Sequence, residues 1–345
     1  MHKVAYITIF AVLLFTACDD ESIVPDNGIP VVKAEYSYTV LKDENIAYAD
    51  GLSHDGLSTT PFPIPIYLDV YYPNNNSTNR PVFMFIHGGG FKGGTKTKPE
   101  IVAMGDYYAS RGWVFVSVDY RTTEELGAIQ GMTQAEVLTY YKGMAPQEWI
   151  ENTFQGAQTT EQVQQAIAMY LAQRDAKAAL RWVVANANTY NINKNFITVG
   201  GASAGAITTI ALGISNLEDF RDEISISDDP TLSTTNLSET YEVKSMVYFW
   251  GSNIKLDVFE AVYGWNRYDN NDPELFMAHG DQHDPVTPYD EAIELQGIYD
   301  ALGIHNKLVT LEGKGHGAWD ATVNGKGLSE ISYDFIVERQ NLNVE

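Results

Sequence analysis

A single serine stands among small residues at positions 201–205, where the sequence reads Gly-Ala-Ser-Ala-Gly. An apolar run, 196–199, precedes these five residues, and an alanine-rich apolar segment follows them. This order predicts a buried strand that turns sharply into a helix and exposes Ser203 at the turn. The neighbours must be small, because the strand and helix backbones nearly touch there. The pattern favours Ser203 as a nucleophile, and a plain helix N-cap serine is the alternative interpretation.

A glycine-rich loop, with the sequence His-Gly-Gly-Gly at 87–90, follows another apolar run at 82–86. Consecutive glycines leave backbone N–H groups that a ligand can approach without obstruction by side chains. Such donors can stabilise the oxyanion that forms when a serine attacks an ester carbonyl. A phosphate-binding loop is the weaker interpretation, because the sequence lacks the G-x-x-x-x-G-K-[ST] pattern.

A serine nucleophile needs a base, and the base needs an acid that orients it. Four histidines lie beyond the serine in the chain and are candidates for the base: His279, His283, His305 and His316. His316 lies in the glycine-rich segment GKGHG, directly after the last predicted strand. Asp281 and Asp284 lie in HGDQHDPVTP, after the preceding strand. The chain order Ser203, Asp284, His316 matches one known type of triad. We therefore predict His316 as the base and Asp284 as the acid, with Asp281 as the alternative acid.

Short apolar runs alternate with helical patterns over most of the chain, which predicts the elements that must hold these residues. The predicted strands are 34–41, 66–72, 82–86, 113–118, 196–199, 244–250, 274–278 and 307–311. The helical patterns include 161–190, 204–214, 288–302 and 328–338. This alternation predicts an α/β fold with a mostly parallel central sheet that is covered by helices on both faces. The first strands lack intervening helices, so we expect them to be antiparallel at one edge.

Two long segments depart from the alternation. Residues 122–160 contain several glycines and aromatic residues, and we expect this insertion to act as a lid, with surface decoration as the alternative. Residues 216–243 are acidic and polar, and we expect a solvated loop.

The composition limits the kinds of partner. The chain has 345 residues and a formal net charge of −23. We expect no nucleic-acid partner, because phosphate binding needs clustered Lys and Arg. The hydrophobic fraction, 44%, is ample for the core of a single globular domain.

The first residues resemble an export signal. Lys3 precedes an apolar run, 4–15, that is shorter than the roughly 20 residues needed to span a bilayer. We predict a signal peptide at 1–17, and Phe-Thr-Ala-Cys resembles a bacterial lipobox that would lipidate Cys18. An acidic tether at 18–32 and one domain at 33–345 would follow. We expect contact with a membrane through the lipid anchor only, at the outer membrane or cell surface. Secretion after cleavage of a plain signal peptide is the alternative.

Seven segments, in order along the chain, resemble the carboxylesterase group of the α/β-hydrolase fold. They are YLDVYYP, FIHGGGFKGG, VFVSVDYR, RDAKAALRWVVANANTYNI, ITVGGASAGA, MAHGDQHDPVTP and GKGHG. The resemblance lies near the hormone-sensitive-lipase-like and the feruloyl or acetyl-xylan esterase branches. It implies an eight-stranded sheet with Ser203 after the fifth strand. It also implies an oxyanion hole made of the backbone N–H groups of Gly89, Gly90 and Ala204, in a loop that His87 shapes.

The resemblance implies a serine carboxylic-ester hydrolase that forms an acyl-enzyme and uses neither a metal nor an organic cofactor. The substrate would be a small-molecule or polysaccharide-borne ester, with acetyl or feruloyl groups as examples. A departure follows Arg121, where Thr-Thr-Glu replaces the Leu-Ala-Pro that is common in lipase-like relatives. A serine peptidase of the same fold is the alternative enzyme. A non-catalytic glycan-binding lipoprotein is the alternative from another class.

Overall fold

The computed structural model describes residues 28–54, 60–263 and 267–345. Its strands are β1 (Val31–Val32), β2 (Val40–Ser53), β3 (Phe62–Pro73), β4 (Arg80–Ile86), β5 (Val114–Val118), β6 (Ile192–Ala202), β7 (Ser245–Phe249), β8 (Glu274–Gly280), β9 (Asn306–Leu311), β10 (Thr322–Val323), β11 (Lys326–Gly327) and β12 (Asn343–Val344). Its α-helices are α1 (Pro99–Ala109), α2 (Gln134–Tyr140), α3 (Gln147–Gly156), α4 (Thr160–Ala185), α5 (Ala187–Tyr190), α6 (Ala204–Ile214), α7 (Asp257–Tyr263), α8 (Tyr289–Leu302) and α9 (Leu328–Arg339).

An eight-stranded sheet forms the centre, with strand order β2-β3-β5-β4-β6-β7-β8-β9. The strands from β5 to β9 in this order pair in parallel, whereas β2 and β3 are antiparallel at one edge. Every residue of β4, β5 and β7 is buried, as expected for parallel strands that helices cover on both faces. The predicted α/β-hydrolase fold is therefore confirmed, including the position of Ser203 after the fifth strand of this sheet.

Two hydrophobic cores lie on opposite faces of the sheet, because successive side chains of a strand point to opposite sides. Met84 of β4 belongs to the core that α4, α6 and α8 cover, whereas Phe83 and Phe85 belong to the core under α1 and α9. Helix α4 begins where the Thr159 hydroxyl accepts a hydrogen bond from the backbone N–H of Gln162, at 3.2 Å. These packed layers hold the carboxyl ends of the parallel strands at one edge.

The first predicted strand was wrong in its position, because β2 begins only at Val40. All of the first eight residues of β2 are exposed or partly exposed, and they include the charged run Lys42–Glu44. An edge strand with a solvated face lacks the apolar pattern that revealed the inner strands. Residues 34–39 form a loop instead of a strand, and the Ser37 N–H of this loop donates a hydrogen bond to the Ser110 carbonyl oxygen.

The two ends of the described chain lie together. Val31 and Val32 pair in parallel with Asn343 and Val344, and the Val32 side chain is fully buried. The folded domain therefore includes two residues that the sequence had suggested for the tether. The predicted signal peptide, Cys18 and the first part of the tether lie outside the described residues.

The segment 216–243 is only in part the solvated loop that we expected, because buried residues fasten it to the domain. Asp229 and Arg174 of α4 form a buried ion pair at 3.0 Å. The Lys177 ammonium donates to the backbone oxygen of Asp219 at 2.8 Å. Burial lowers the pKa of Lys177 to about 7, although the Asp219 carboxylate acts in the opposite direction. The burial of Asp219 and Asp229 could not be read from the sequence, because the cations that contact them lie about 40 positions or more away along the chain.

The insertion 122–160 packs its aromatic residues inward. Trp149 and Tyr141 are fully buried, and the Trp149 indole donates to the backbone oxygen of Ala166 of α4 at 2.9 Å. Trp149 also packs against Tyr170 of α4. Trp149, one of the aromatic residues that suggested a lid, therefore fastens the insertion to α4, whereas Tyr140 stacks on His54.

Helices that could span a bilayer are not found among residues 28–54, 60–263 and 267–345, since none is both long and apolar enough.

Candidate active site

Ser203 occupies a strained turn between β6 and α6. Its φ of 55° and ψ of −119° are unusual for a residue with a side chain. The turn is held where the Ser203 N–H donates to the carbonyl oxygen of Phe249, at the end of β7, over 2.9 Å. The surrounding structure thus compensates for the strain and presents the hydroxyl at the carboxyl edge of the sheet.

Three glycines allow backbone segments to meet around this turn. A Cβ on Gly205 would lie 2.0 Å from the carbonyl oxygen of Ile86 at the end of β4. A Cβ on Gly201 would lie 2.2 Å from the oxygen of Gly205, and one on Gly88 would lie 2.7 Å from the oxygen of Ala202. The small residues on both sides of Ser203 are therefore required by contact between backbones, as the sequence predicted.

The structure brings together Ser203, His316 and Asp284. The His316 Nε2 atom lies 3.0 Å from the Ser203 Oγ, and its Nδ1 atom lies 2.7 Å from the Asp284 Oδ2. In this arrangement an imidazole can take a proton from the hydroxyl while the carboxylate holds the opposite ring nitrogen.

The other candidates for base and acid have different environments. Asp281 is exposed, and its carboxylate accepts a hydrogen bond from the Gly313 N–H at 2.8 Å. His279 is buried, with Nδ1 at 2.9 Å from the Gly280 oxygen, and His305 stacks on Phe335. Asp284 is therefore the carboxylate that contacts His316, and Asp281 is not.

Asp284 is held in its ionised form. Its burial alone would raise the pKa, but the backbone N–H groups of Thr287 and Val286, the Thr287 hydroxyl and His316 lower the pKa to about 2. The Thr287 hydroxyl donates to Asp284 Oδ2 at 2.8 Å and lies 3.1 Å from His316 Nδ1. Sequence reasoning missed Thr287, although a threonine three residues after an aspartate is a spacing that allows such a turn.

The loop at 87–90 approaches the serine from the end of β4. Gly89 has a φ of 138° and Gly90 a φ of 62°, and a Cβ on Gly89 would lie 1.8 Å from the Gly93 oxygen. Gln165 of α4 donates from its side chain to the Gly90 oxygen at 2.7 Å, a contact that the sequence did not reveal. The loop thus needs glycine at these positions, and α4 holds it in place.

His87 lies behind this loop. It is nearly fully buried, with Nδ1 at 2.7 Å from the Gly88 oxygen, and its ring stacks on Tyr120. The Tyr120 hydroxyl donates to the His87 oxygen at 3.0 Å. Burial lowers the pKa of His87, which favours the neutral imidazole. These contacts fit the expectation that His87 shapes the loop.

A cavity of about 270 Å³ opens beside Ser203. It is lined by Gly90, Phe91, Gln162, Gln165, Ala166, Met169, Ser203, Ala204, Ile207, Lys255, Val286 and Thr287. The lining contains several apolar side chains and a single charged one. The first turns of α4 contribute Gln162, Gln165, Ala166 and Met169 to the cavity wall, whereas no residue of 122–160 is among the lining residues in the described structure.

A sequence model of the BD-FAE family matches residues 68–133 and 127–255, which together cover more than half of the chain. The chain belongs to the BD-FAE family. This is a family of α/β-hydrolase esterases, and the matched region includes the 87–90 loop, α4 and the turn at Ser203 but ends before Asp284 and His316.

One curated relative and two solved structures show further similarity. Phenmedipham hydrolase of Pseudarthrobacter oxydans is 30% identical over 146 residues, which are 42% of this chain and 22% of that protein. This chain therefore aligns with only about a fifth of that relative's length. A truncated carbohydrate esterase from gut microbiota is 20% identical, with a TM-score of 0.54 over 90% of this chain and 99% of the other. Thermogutta terrifontis esterase 2 phosphorylated by paraoxon is 18% identical, with a TM-score of 0.55 over 85% and 95%. The structural similarity shows that the fold of this BD-FAE protein is that of known esterases.

Metal-binding clusters are not found in the part of the chain that the structure describes. There, no group of three or more His, Cys, Asp or Glu side chains is placed to hold a metal ion.

The glycine requirement at the turn can be tested with a matched pair of substitutions. We expect Gly205→Ala to lower the free energy of unfolding by about 3 kcal/mol or more, because its Cβ would collide with the backbone of β4. Gly297→Ala lies inside α8, where the new Cβ would meet no heavy atom within 4 Å apart from the nearby backbone of the helix itself. This change should raise the free energy of unfolding by about 0.5–1 kcal/mol. Urea unfolding measures both, and equal effects would contradict the close approach.

The hydrogen bonds to Asp284 predict a pH-dependent contribution to stability. Its pKa of about 2 lies below the value of about 4 in an unfolded chain. The ionised carboxylate therefore stabilises the fold above about pH 4, and this contribution is lost as the pH falls towards about 2. We expect the free energy of unfolding of wild type to be larger than that of Asp284→Asn near pH 7. This difference should shrink as the pH falls from about 4 to about 2. The control Glu312→Gln changes an exposed carboxylate nearby, and a difference independent of pH for Asp284→Asn would contradict the assignment.

Proposed function

We propose that this BD-FAE protein is a serine carboxylic-ester hydrolase that acts through an acyl-enzyme. The observation that carries the proposal is the continuous line of short contacts from Asp284 through His316 to Ser203. This line ends at a strained turn that opens into the cavity lined by Gly90 and Ala204. The esterase family supports the same reaction class.

The first half of the reaction forms the acyl-enzyme. The Nε2 atom of His316 accepts the proton as the Ser203 oxygen attacks the ester carbonyl carbon. Negative charge then develops on the carbonyl oxygen, which accepts hydrogen bonds from the N–H groups of Gly89, Gly90 and Ala204. The last of these lies at the start of α6, where the helix dipole also favours an anion. Loss of one such donor typically reduces the rate by about 10²–10³.

The second half releases the product. His316 gives its proton to the leaving alcohol, which departs as the tetrahedral intermediate collapses. A water molecule then loses a proton to His316 and attacks the acyl carbon. The bond from that carbon to the Ser203 oxygen breaks, His316 returns the proton to this oxygen, and the acid is released. Asp284 stays ionised throughout, because its pKa is about 2, and it stabilises the imidazolium that forms twice per cycle.

The cavity favours small acyl esters. Its volume is about 270 Å³, and Phe91, Met169 and Ile207 supply apolar walls. We propose acetyl or feruloyl groups of polysaccharides as substrates. The similarity of the fold to a protein described as a carbohydrate esterase supports this choice.

The activity is tested by Ser203→Ala. Wild type should hydrolyse p-nitrophenyl acetate or methyl ferulate and should react with a fluorophosphonate probe. Ser203→Ala should lose the labelling and at least about 10³-fold in kcat, because the nucleophile is removed. The control Ser233→Ala removes an exposed hydroxyl and should retain both the labelling by the probe and the kcat of wild type.

Three results would contradict the proposal: labelling that persists in Ser203→Ala, folded wild type without any ester hydrolysis, or hydrolysis of a peptide anilide alone. The last would favour the serine peptidase.

We also propose that the protein is exported and lipid-anchored through Cys18. The support is the sequence of residues 1–18. In cells fed an alkyne fatty acid, wild type should incorporate the label and Cys18→Ser should not. Unlabelled wild type would overturn the anchor.

A further inference from the structure

The cavity beside Ser203 contains one charged side chain. Lys255 lines it, in a short turn of helix that follows β7, and every other lining residue is uncharged. The lysine shares the cavity with apolar side chains of Phe91, Met169 and Val286. A substrate in this cavity therefore meets an apolar surface and a single cation.

The positive charge of Lys255 contrasts with the strongly negative net charge of the whole chain. Acidic residues outnumber Lys and Arg by 45 to 22. A chain with this excess of acid repels anions at long range, so a local cation is needed if an anionic group is to be held at the site.

The described structure shows no close ion pair for Lys255. Among the described residues, no carboxylate oxygen lies within 4.0 Å of its ammonium group, unlike Lys42 or Lys314, which have such pairs. Burial raises the pKa of Asp257, two positions along the chain, and Glu294 and Glu260 add to this effect, whereas Lys255 is near enough to act in the opposite direction. Lys255 is exposed, so its long side chain is free to reach towards a bound anion.

We propose that Lys255 selects ester substrates that carry a carboxylate in addition to the ester. The apolar wall would contact the body of the substrate, and the ammonium would pair with the carboxylate while the ester carbonyl lies at Ser203. This inference rests on the proposed esterase function and narrows its substrate class to acidic esters. The carboxylate could belong to the alcohol or to the acyl part, and the two possibilities are separated by experiment.

Two pairs of substrates, matched except for charge, provide the test. For the alcohol part, 4-acetoxybenzoate is compared with 4-acetoxybenzamide. For the acyl part, monomethyl terephthalate is compared with methyl 4-carbamoylbenzoate. The ratio of kcat/KM for the anionic ester to that for the neutral ester is measured in each variant, so that intrinsic reactivity cancels between variants.

We expect Lys255→Met to lower this ratio by about three- to tenfold for at least one pair, the size typical of one partly exposed charge pair. Lys255→Glu should lower it further, and Lys255→Arg should retain most of it. Added salt should shift the ratio downward in wild type relative to Lys255→Met, because salt screens the repulsion by the acidic chain in both proteins, whereas only wild type also has the Lys255 attraction to be screened. Lys194→Met, which removes an exposed lysine near the start of β6, should leave the ratio unchanged.

Ratios that stay within about twofold between wild type and Lys255→Met for both pairs would overturn the inference while leaving the esterase intact. An equal loss on neutral and anionic esters would also overturn it, since that result indicates a general disturbance of the cavity. If Ser203-dependent hydrolysis of every ester is absent, the proposed function fails and the inference fails with it.

Discussion

The contact between the turn at Ser203 and the end of β4 is the constraint on which the rest of the site depends. Gly205 lies so close to the Ile86 oxygen that no side chain fits between them. Because β4 and β6 are neighbouring parallel strands, both end at the same edge of the sheet. The close approach then sets the 87–90 loop directly beside the serine. Strain at Ser203 is tolerated because hydrogen bonds and packing on both sides of the turn determine its backbone conformation.

Helix α4 links this edge to the rest of the domain through buried polar contacts. Asp175 accepts hydrogen bonds from the Arg121 guanidinium at 2.6–3.2 Å, and Arg174 pairs with Asp229. Removal of one partner of such a buried ion pair lowers the stability of the fold strongly, because the remaining charge is left without a partner in a medium of low dielectric constant. These contacts hold α4 so that Gln165 reaches the Gly90 oxygen and Met169 lines the cavity. The insertion and the segment 216–243 pack against the same helix, and so they support the cavity indirectly.

Much of this arrangement could be predicted from the sequence where local patterns reflect local physics. The helix after Ser203 was predicted at 204–214 and is found at Ala204–Ile214, because an apolar strand, a glycine turn and an apolar helix follow one another without interruption. The edge strand β2 and the segment 216–243 could not be predicted in the same way. In β2 the exposed face removes the apolar pattern, and in 216–243 the two buried aspartates pair with distant cations: Asp229 with Arg174 of α4, and Asp219 with Arg267.

The sequence by itself determined the serine turn and the glycine loop, because each depends on residues within a few positions of one another. It also determined the fold class, because apolar strand runs and helical patterns alternate along most of the chain, and it gave the chain order of the three candidate catalytic residues directly. Only the tertiary structure decided which aspartate meets His316, since Ser203 and His316 are separated by 113 positions and His316 and Asp284 by 32. It also decided that Thr287 and Gln165 support the site and that Lys255 enters the cavity. Contacts of this kind depend on how separate elements pack, and side-chain packing across a sheet has no signature in the local pattern of apolar and polar residues.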